Sequence, residues 1–229
     1  IISALVRSNG TSQEISGDHF LSTMPLRELV QAIKPAAPND VLNAAQKLRY
    51  RDFFTVSLII DKPFIFPDNW IYIHSPEVRV GRIQNFKNWS PEMVPDPQTT
   101  TLGLEYFCFE TDEIWKRDDS ELIKLGTEEI GKLKFATKEE VIDGMVIRSP
   151  KTYPIYDKGY KERIETIKDY LSQIENLQTM GRNGLHRYNN QDHSMLSALA
   201  AVRNILGEKH SVWEINVDDE YHETIERRE

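Results

Sequence analysis

The stretch "GRNGLHRYNNQDHSMLSALAAVRNIL", Gly181 to Leu206, decides how this chain is read, because a cluster of Gly, Arg, His and Asn runs directly into an uninterrupted apolar segment. The apolar part is rich in helix formers, and Ala198, Ala200 and Ala201 permit close packing against a neighbouring element. The helix is expected to start near Asp192 or His193, with the Asp192 side chain accepting from first-turn N–H groups that lack a helical partner. Just upstream, "NLQTM" reads as a short strand that delivers the chain to Gly181. A helix start of this kind is either the cap of a core helix or a ligand cradle, since free N–H groups and the positive end of the helix dipole attract phosphate. Arg182 and Arg187 add cations, Asn189, Asn190 and Gln191 add amides, and Gly181 and Gly184 let backbone approach a ligand closely.

The rest of the chain reads as α+β, a mixed β-sheet with packed helices. "IISALVR" and "HFLSTMP" look extended, joined by the turn-rich "SNGTSQEISGD". "PLRELVQAI" is a short helix opened by Pro25, and Asn39 or Asp40 can cap the next, "VLNAAQKL". "FFTVSLIID", Phe53 to Asp61, is rich in β-branched and aromatic residues and reads as a buried strand. "WIYIHS", "VGRIQNF" and "TLGLEYFCFE" continue the sheet, with Glu105 and Glu110 expected to face solvent. Helical composition spans Asp118 to Lys134 and Lys161 to Leu171, and "VIDGMVIRSP" returns to extended structure between them. No linker or repeat divides the chain, so a single domain over 1–207 is expected, followed by an acidic tail, 208–229. That tail is expected to pack only through Val212, Trp213 and Ile215 and to be unstructured at its end.

Composition excludes several classes of function. Among 229 residues, 28 Lys and Arg stand against 36 Asp and Glu, a net charge of −8, and no basic block suits a nucleic-acid backbone. The longest apolar runs fall far short of the roughly 20 residues a membrane span needs. Cys108 is the single cysteine, so no internal disulfide forms and the cytoplasm is the expected compartment. The chain opens without Met or a charged, cleavable leader, and is expected to begin partway through a gene product. The six histidines, 19, 74, 186, 193, 210 and 222, contain no pair at zinc-protease spacing, so no metal is expected. No Gly-x-Ser-x-Gly elbow occurs, and Cys108 sits among aromatics as a core residue would. Trp70, Tyr72, Phe86 and Trp89 lie near loops, where stacking on a sugar or base and ordinary packing suit them equally.

"GRNGLHRYNNQD" resembles the C-terminal flavin motif of UDP-galactopyranose mutases at Gly181, Arg182, Gly184, Arg187, Tyr188 and Asp192. Two further stretches fall in the family's order. "GRIQNFKNW" around Arg82 looks like its Thr-Arg-Ile-x-Glu-His-Lys segment, and "TYPIYDKGY" looks like its Tyr-Pro-Ile segment. "GDHFLSTMPLREL" is similar to the wider flavin-containing amine oxidases and protoporphyrinogen oxidases. The resemblance implies the substrate domain of an FAD-linked, amine-oxidase-like fold. The Gly-x-Gly-x-x-Gly turn of a Rossmann half is absent, so an N-terminal FAD-binding domain is expected as a missing partner.

Carried over residue by residue, the resemblance implies cofactor-side roles for Arg82, Gly181, Arg182 and Asp192 and for the backbone at His193, Ser194 and Met195. It implies substrate-side roles for Tyr153, Tyr156, Arg187 and Tyr188. No side chain is implied as the catalytic acid or base. The implied function is a part of an FAD enzyme acting on a UDP-sugar in lipopolysaccharide or surface-polysaccharide synthesis. An amine oxidase or protoporphyrinogen oxidase type of oxidoreductase and a non-catalytic binding module are the alternatives.

Overall fold

The structure, a computed structural model, describes residues 1–216; the acidic end of the expected tail, with His222, lies outside the described residues. Along the chain run β1 (Ser3–Ser8), β2 (Thr11–Ser16), β3 (Phe20–Ser22), α1 (Leu26–Ala32) and α2 (Asn39–Gln46). Then come β4 (Tyr50–Ile60), β5 (Trp70–Tyr72), β6 (Arg82–Asn85), the one-turn α3 (Phe86–Trp89), β7 (Thr100–Cys108), α4 (Asp119–Lys132) and β8 (Val141–Pro154). Finally α5 (Tyr160–Leu171), β9 (Leu177–Thr179), the short α6 (Gly181–Gly184) and α7 (Gln191–Ile205) follow. Contacts gather into two compact units, Ile1–Tyr50 with the chain from Tyr153 onward, and Arg51–Thr152. Both boundaries fall inside strands, β4 and β8, where no linker composition marks them.

The unit Arg51–Thr152 is a five-stranded sheet in the order β5-β6-β7-β4-β8. β4 and β7 pair antiparallel from Asp52 opposite Cys108 to Ile60 opposite Thr100. Strand side chains alternate between faces, so Phe54, Val56, Leu58 and Ile60 share one side with Leu102, Leu104, Tyr106 and Cys108. Leu122 and Ile130 of α4 close this core. Burial pushes the Cys108 thiol up to about 11, with Asp52 and Asp112 adding to it, so the side chain is inert packing, as its aromatic neighbours suggested. Glu129 is also buried. Its carboxylate accepts from the Arg79 and Val80 N–H groups at 2.7 and 3.0 Å and from the Tyr106 hydroxyl at 3.0 Å, which holds the approach to β6 against α4.

The other unit places the parallel pair β3–β9, Phe20 opposite Leu177 to Ser22 opposite Thr179, beside a helical core. Leu26 and Val30 of α1, Val41 and Ala45 of α2, and Ile164, Ile167 and Leu171 of α5 are buried together. Leu185, Ala200, Ala201 and Val212 form a smaller cluster, with Trp213 and Ile215 packed on it.

Three sequence expectations are corrected. The supposed connection after Ser8 is a strand, because Asn9 and Gly10 both adopt positive φ (49° and 77°) and fold β1 and β2 into a tight hairpin. Its strand residues are all exposed, so no apolar alternation announced it. Pro38 takes the cap position of α2, with Asn39 already in the first turn. Glu105 is only 2% exposed, not solvent-facing, because it meets a buried arginine.

Candidate functional site

β9 ends where Gly181 turns the chain at φ 77°, a backbone conformation that favours glycine. Gly184 is needed for a different reason: a Cβ there would stand 2.8 Å from the Ser22 carbonyl oxygen. The Gly181 N–H donates to the Ser197 hydroxyl at 2.9 Å, and that hydroxyl donates to the Ser194 carbonyl at 2.8 Å. Ser197 is fully buried on α7, so the loop is pinned to the helix it precedes. Sequence reasoning passed over this serine; a lone hydroxyl amid an apolar helix was the available signal.

The cap of α7 is Asn190, two residues before the Asp192 that the sequence suggested. The Asn190 side chain accepts from the His193 N–H, and the Asn190 N–H donates to His193 Nδ1 at 3.3 Å, a reciprocal box. Asp192 points outward, its side chain 68% exposed and 3.3 Å from the His193 ring. The Ser194 N–H is taken by the Asn190 carbonyl at 3.0 Å. Helix geometry leaves the Gln191 and Asp192 N–H groups as first-turn donors for a ligand.

The start of α7 borders a cavity of about 470 Å³ lined by Arg182, Asn189, Asn190, Gln191, Ser194 and Met195. No lining residue is acidic. The Arg182 Nε donates to the Asn189 carbonyl at 2.8 Å, and its guanidinium lies 4.9 Å from the ring centres of both Tyr153 and Tyr188. Asn189 is 1% exposed, and its Nδ2 has no hydrogen-bond partner among the described residues. A buried amide donor without an acceptor costs about 1–3 kcal/mol. The residues therefore fit a polar, anionic group such as the pyrophosphate and polyol chain of a dinucleotide.

Tyr153 and Tyr188 are near-parallel, 5.4 Å apart, and the Tyr188 N–H donates to the Tyr156 hydroxyl at 2.6 Å. The structure thus brings Arg182, Tyr153, Tyr156 and Tyr188 together. Arg187 is set apart. It lines a second cavity of about 280 Å³ with His186, Tyr160, Lys161, Ile164 and Glu165. Arg82 belongs to the other unit, buried against Glu105. Its Nε donates to the Glu105 carboxylate at 2.6 Å, and Trp70 and Phe107 flank the guanidinium at 5.1 and 4.8 Å. Among the described residues no cluster could hold a metal ion, and no helix is long and apolar enough to cross a membrane.

No protein-family model and no curated protein matches the chain in sequence. Solved structures do match. The crystal structure of reduced UDP-galactopyranose mutase aligns over 91% of this chain and 46% of its own, with a TM-score of 0.78 and 22% identity. A protein from Exiguobacterium sp. 255-15 named as a protoporphyrinogen oxidase aligns over 78% of this chain and 40% of its own, at 0.59 and 19%. A Pyrococcus furiosus protein aligns over 88% and 44%, at 0.53 and 12%. At these identities the likeness establishes the fold, a mixed α+β part of the mutase-like fold, and the chain spans less than half of each neighbour.

Proposed function

We propose that the chain is the substrate-binding, cofactor-closing part of a cytoplasmic FAD-dependent enzyme similar to UDP-galactopyranose mutase. Its substrate in this reading is a nucleotide sugar of lipopolysaccharide or surface-polysaccharide synthesis, and an N-terminal dinucleotide-binding domain completes the flavin site. The observation that carries the reading is that Arg182 and residues of the α7 start, Asn190, Gln191 and Ser194, line one cavity free of acidic residues. In this reading Gly181, Arg182 and the backbone from Asp192 through His193 and Ser194 to Met195 run along the cofactor, and Arg82 contributes from its own unit. Tyr153, Tyr156, Tyr188 and Arg187 serve the substrate side. A bound flavin would supply the reactive centre, while the protein groups bind, orient and exclude water. Tyr156 has a defined part in this: by accepting from the Tyr188 N–H it fixes the backbone that carries the Tyr188 ring over Arg182.

A two-electron oxidase is the second reading, favoured by the Exiguobacterium neighbour's name. It expects peroxide release from an amine or porphyrinogen and indifference to UDP-sugars.

The deciding measurement is the absorption spectrum of the protein joined to its dinucleotide-binding domain, read at the flavin band near about 450 nm. A yellow protein whose FAD affinity falls about tenfold or more in Arg182→Ala supports the reading. A protein that stays colourless with FAD in excess returns residues 181–192 to the role of a capped core helix in a non-catalytic binding module.

A further inference from the structure

On β5, Ile71 and the following Ile73 pack against the core of the sheet, so Trp70, Tyr72 and His74 project from the opposite face. The three rings form a continuous row. Trp70 and Tyr72 lie 4.7 Å apart, and Tyr72 and His74 lie 6.2 Å apart with planes within 21°. Tyr72 is 58% exposed, and β5 is an edge strand, so the row is reachable from solvent rather than consumed as core. The register places Gln84 opposite Trp70 and Arg82 opposite Tyr72, and Glu105 of β7 opposite Arg82. The side chains of Gln84 and Arg82 both donate to the Glu105 carboxylate. Arg82 and Glu105 are buried and satisfy each other beneath the rings, so of the three only Gln84 is partly exposed beside the row.

We propose that this face is a saccharide-binding surface that takes the apolar side of a neutral pyranose-sized ring on Tyr72 and its neighbours. The C–H groups on one side of such a ring carry slight positive charge and suit the negative face of an aromatic ring, and its rim hydroxyls need both donors and acceptors. With the Arg82 guanidinium buried against Glu105, the row offers a ligand aromatic faces and the half-buried Gln84 amide rather than a cluster of cations, which separates it from the cavity at α7. The inference stands on the unit Arg51–Thr152 alone and does not rest on flavin binding.

The test uses the intact 229-residue chain and saturation-transfer NMR with short neutral galactose and glucose oligosaccharides, with uridine and riboflavin as competing ring chemistries. Saccharide ring protons should receive saturation, and Tyr72→Ala and His74→Ala should each weaken apparent affinity about fivefold while Tyr72→Phe retains it. Both positions are exposed, so the variants leave the core intact. Silence from every oligosaccharide overturns the assignment, as does a saccharide signal that Tyr72→Ala leaves unchanged. A uridine or riboflavin signal in place of the saccharide one, lost in Tyr72→Ala, gives the row to a planar heterocycle instead and equally removes the sugar.

Discussion

His186 sits in the left-handed backbone region at φ 48°, 1% exposed, with its ring edge-on to Tyr50 at 4.9 Å. Its Nε2 lies 3.4 Å from the Ile155 carbonyl, and its Nδ1 has no partner among the described residues. Burial holds its pKa down to about 4, against an ordinary 6.5, despite the raising influence of the Ile155 carbonyl and Asp157. Above the ordinary value both folded and unfolded chains carry a neutral ring, so His186 imposes no pH dependence there. As the pH falls from about 6.5 towards about 4, the unfolded chain gains a proton that the folded one refuses, and stability drops by up to about 3 kcal/mol. His186→Leu removes this site from the titration. Urea midpoints at neutral pH and near about pH 5 should therefore fall further for the natural chain than for the variant; equal losses would show that the ring is protonated in the fold.

At the level of elements, α7 shows what the sequence disclosed and what it withheld. Its existence was legible from the apolar run, as β4 was from the β-branched and aromatic run Phe53 to Asp61, because a segment that is buried must be written in apolar residues. The cap was not, because Asn190 and Asp192 are equally good caps in isolation and only the reciprocal contact with His193 selects between them. Glu105 was misjudged for a related reason: its partner Arg82 lies 23 positions away, and nothing local reports the pairing. The cap assignment has a measurable consequence. Asn190→Ala should cost about 1 kcal/mol of unfolding free energy, whereas Asp192→Ala, exposed and acting through the helix dipole and its contact with the His193 ring, should cost about 0.3–0.5 kcal/mol. Denaturant curves giving the reverse order would restore Asp192 as the cap.

Over the whole molecule, the sequence disclosed the fold better than the site, since three motifs in order sufficed for the mutase-like fold while side-chain placement depended on non-local packing. The least expected feature is which face of α7 is turned inward. Ser197, Ala200 and Ala201 are buried, whereas Met195, Leu196, Leu199, Val202 and Leu206 are exposed, so the small residues pack and the large apolar ones meet solvent. Of the three alanines the sequence singled out for close packing, Ala200 and Ala201 are buried and Ala198 is half-buried, and nothing in the sequence showed that the bulky residues were left over. If the proposed function holds, the dinucleotide-binding domain would cover this apolar stripe, and without it the stripe would favour association of the chain. The 229-residue chain produced alone should bind a hydrophobic dye and self-associate as concentration rises, measured by fluorescence and sedimentation. Leu196→Glu with Leu199→Lys, an oppositely charged pair one turn apart, should suppress both without unfolding the helix, because neither side chain contributes to the core. Joining the chain to its dinucleotide-binding domain should have the same effect with the native residues in place. If the isolated chain remains monomeric and dye-silent, the stripe is a tolerated exposed surface, and α7 supplies no support for a missing partner.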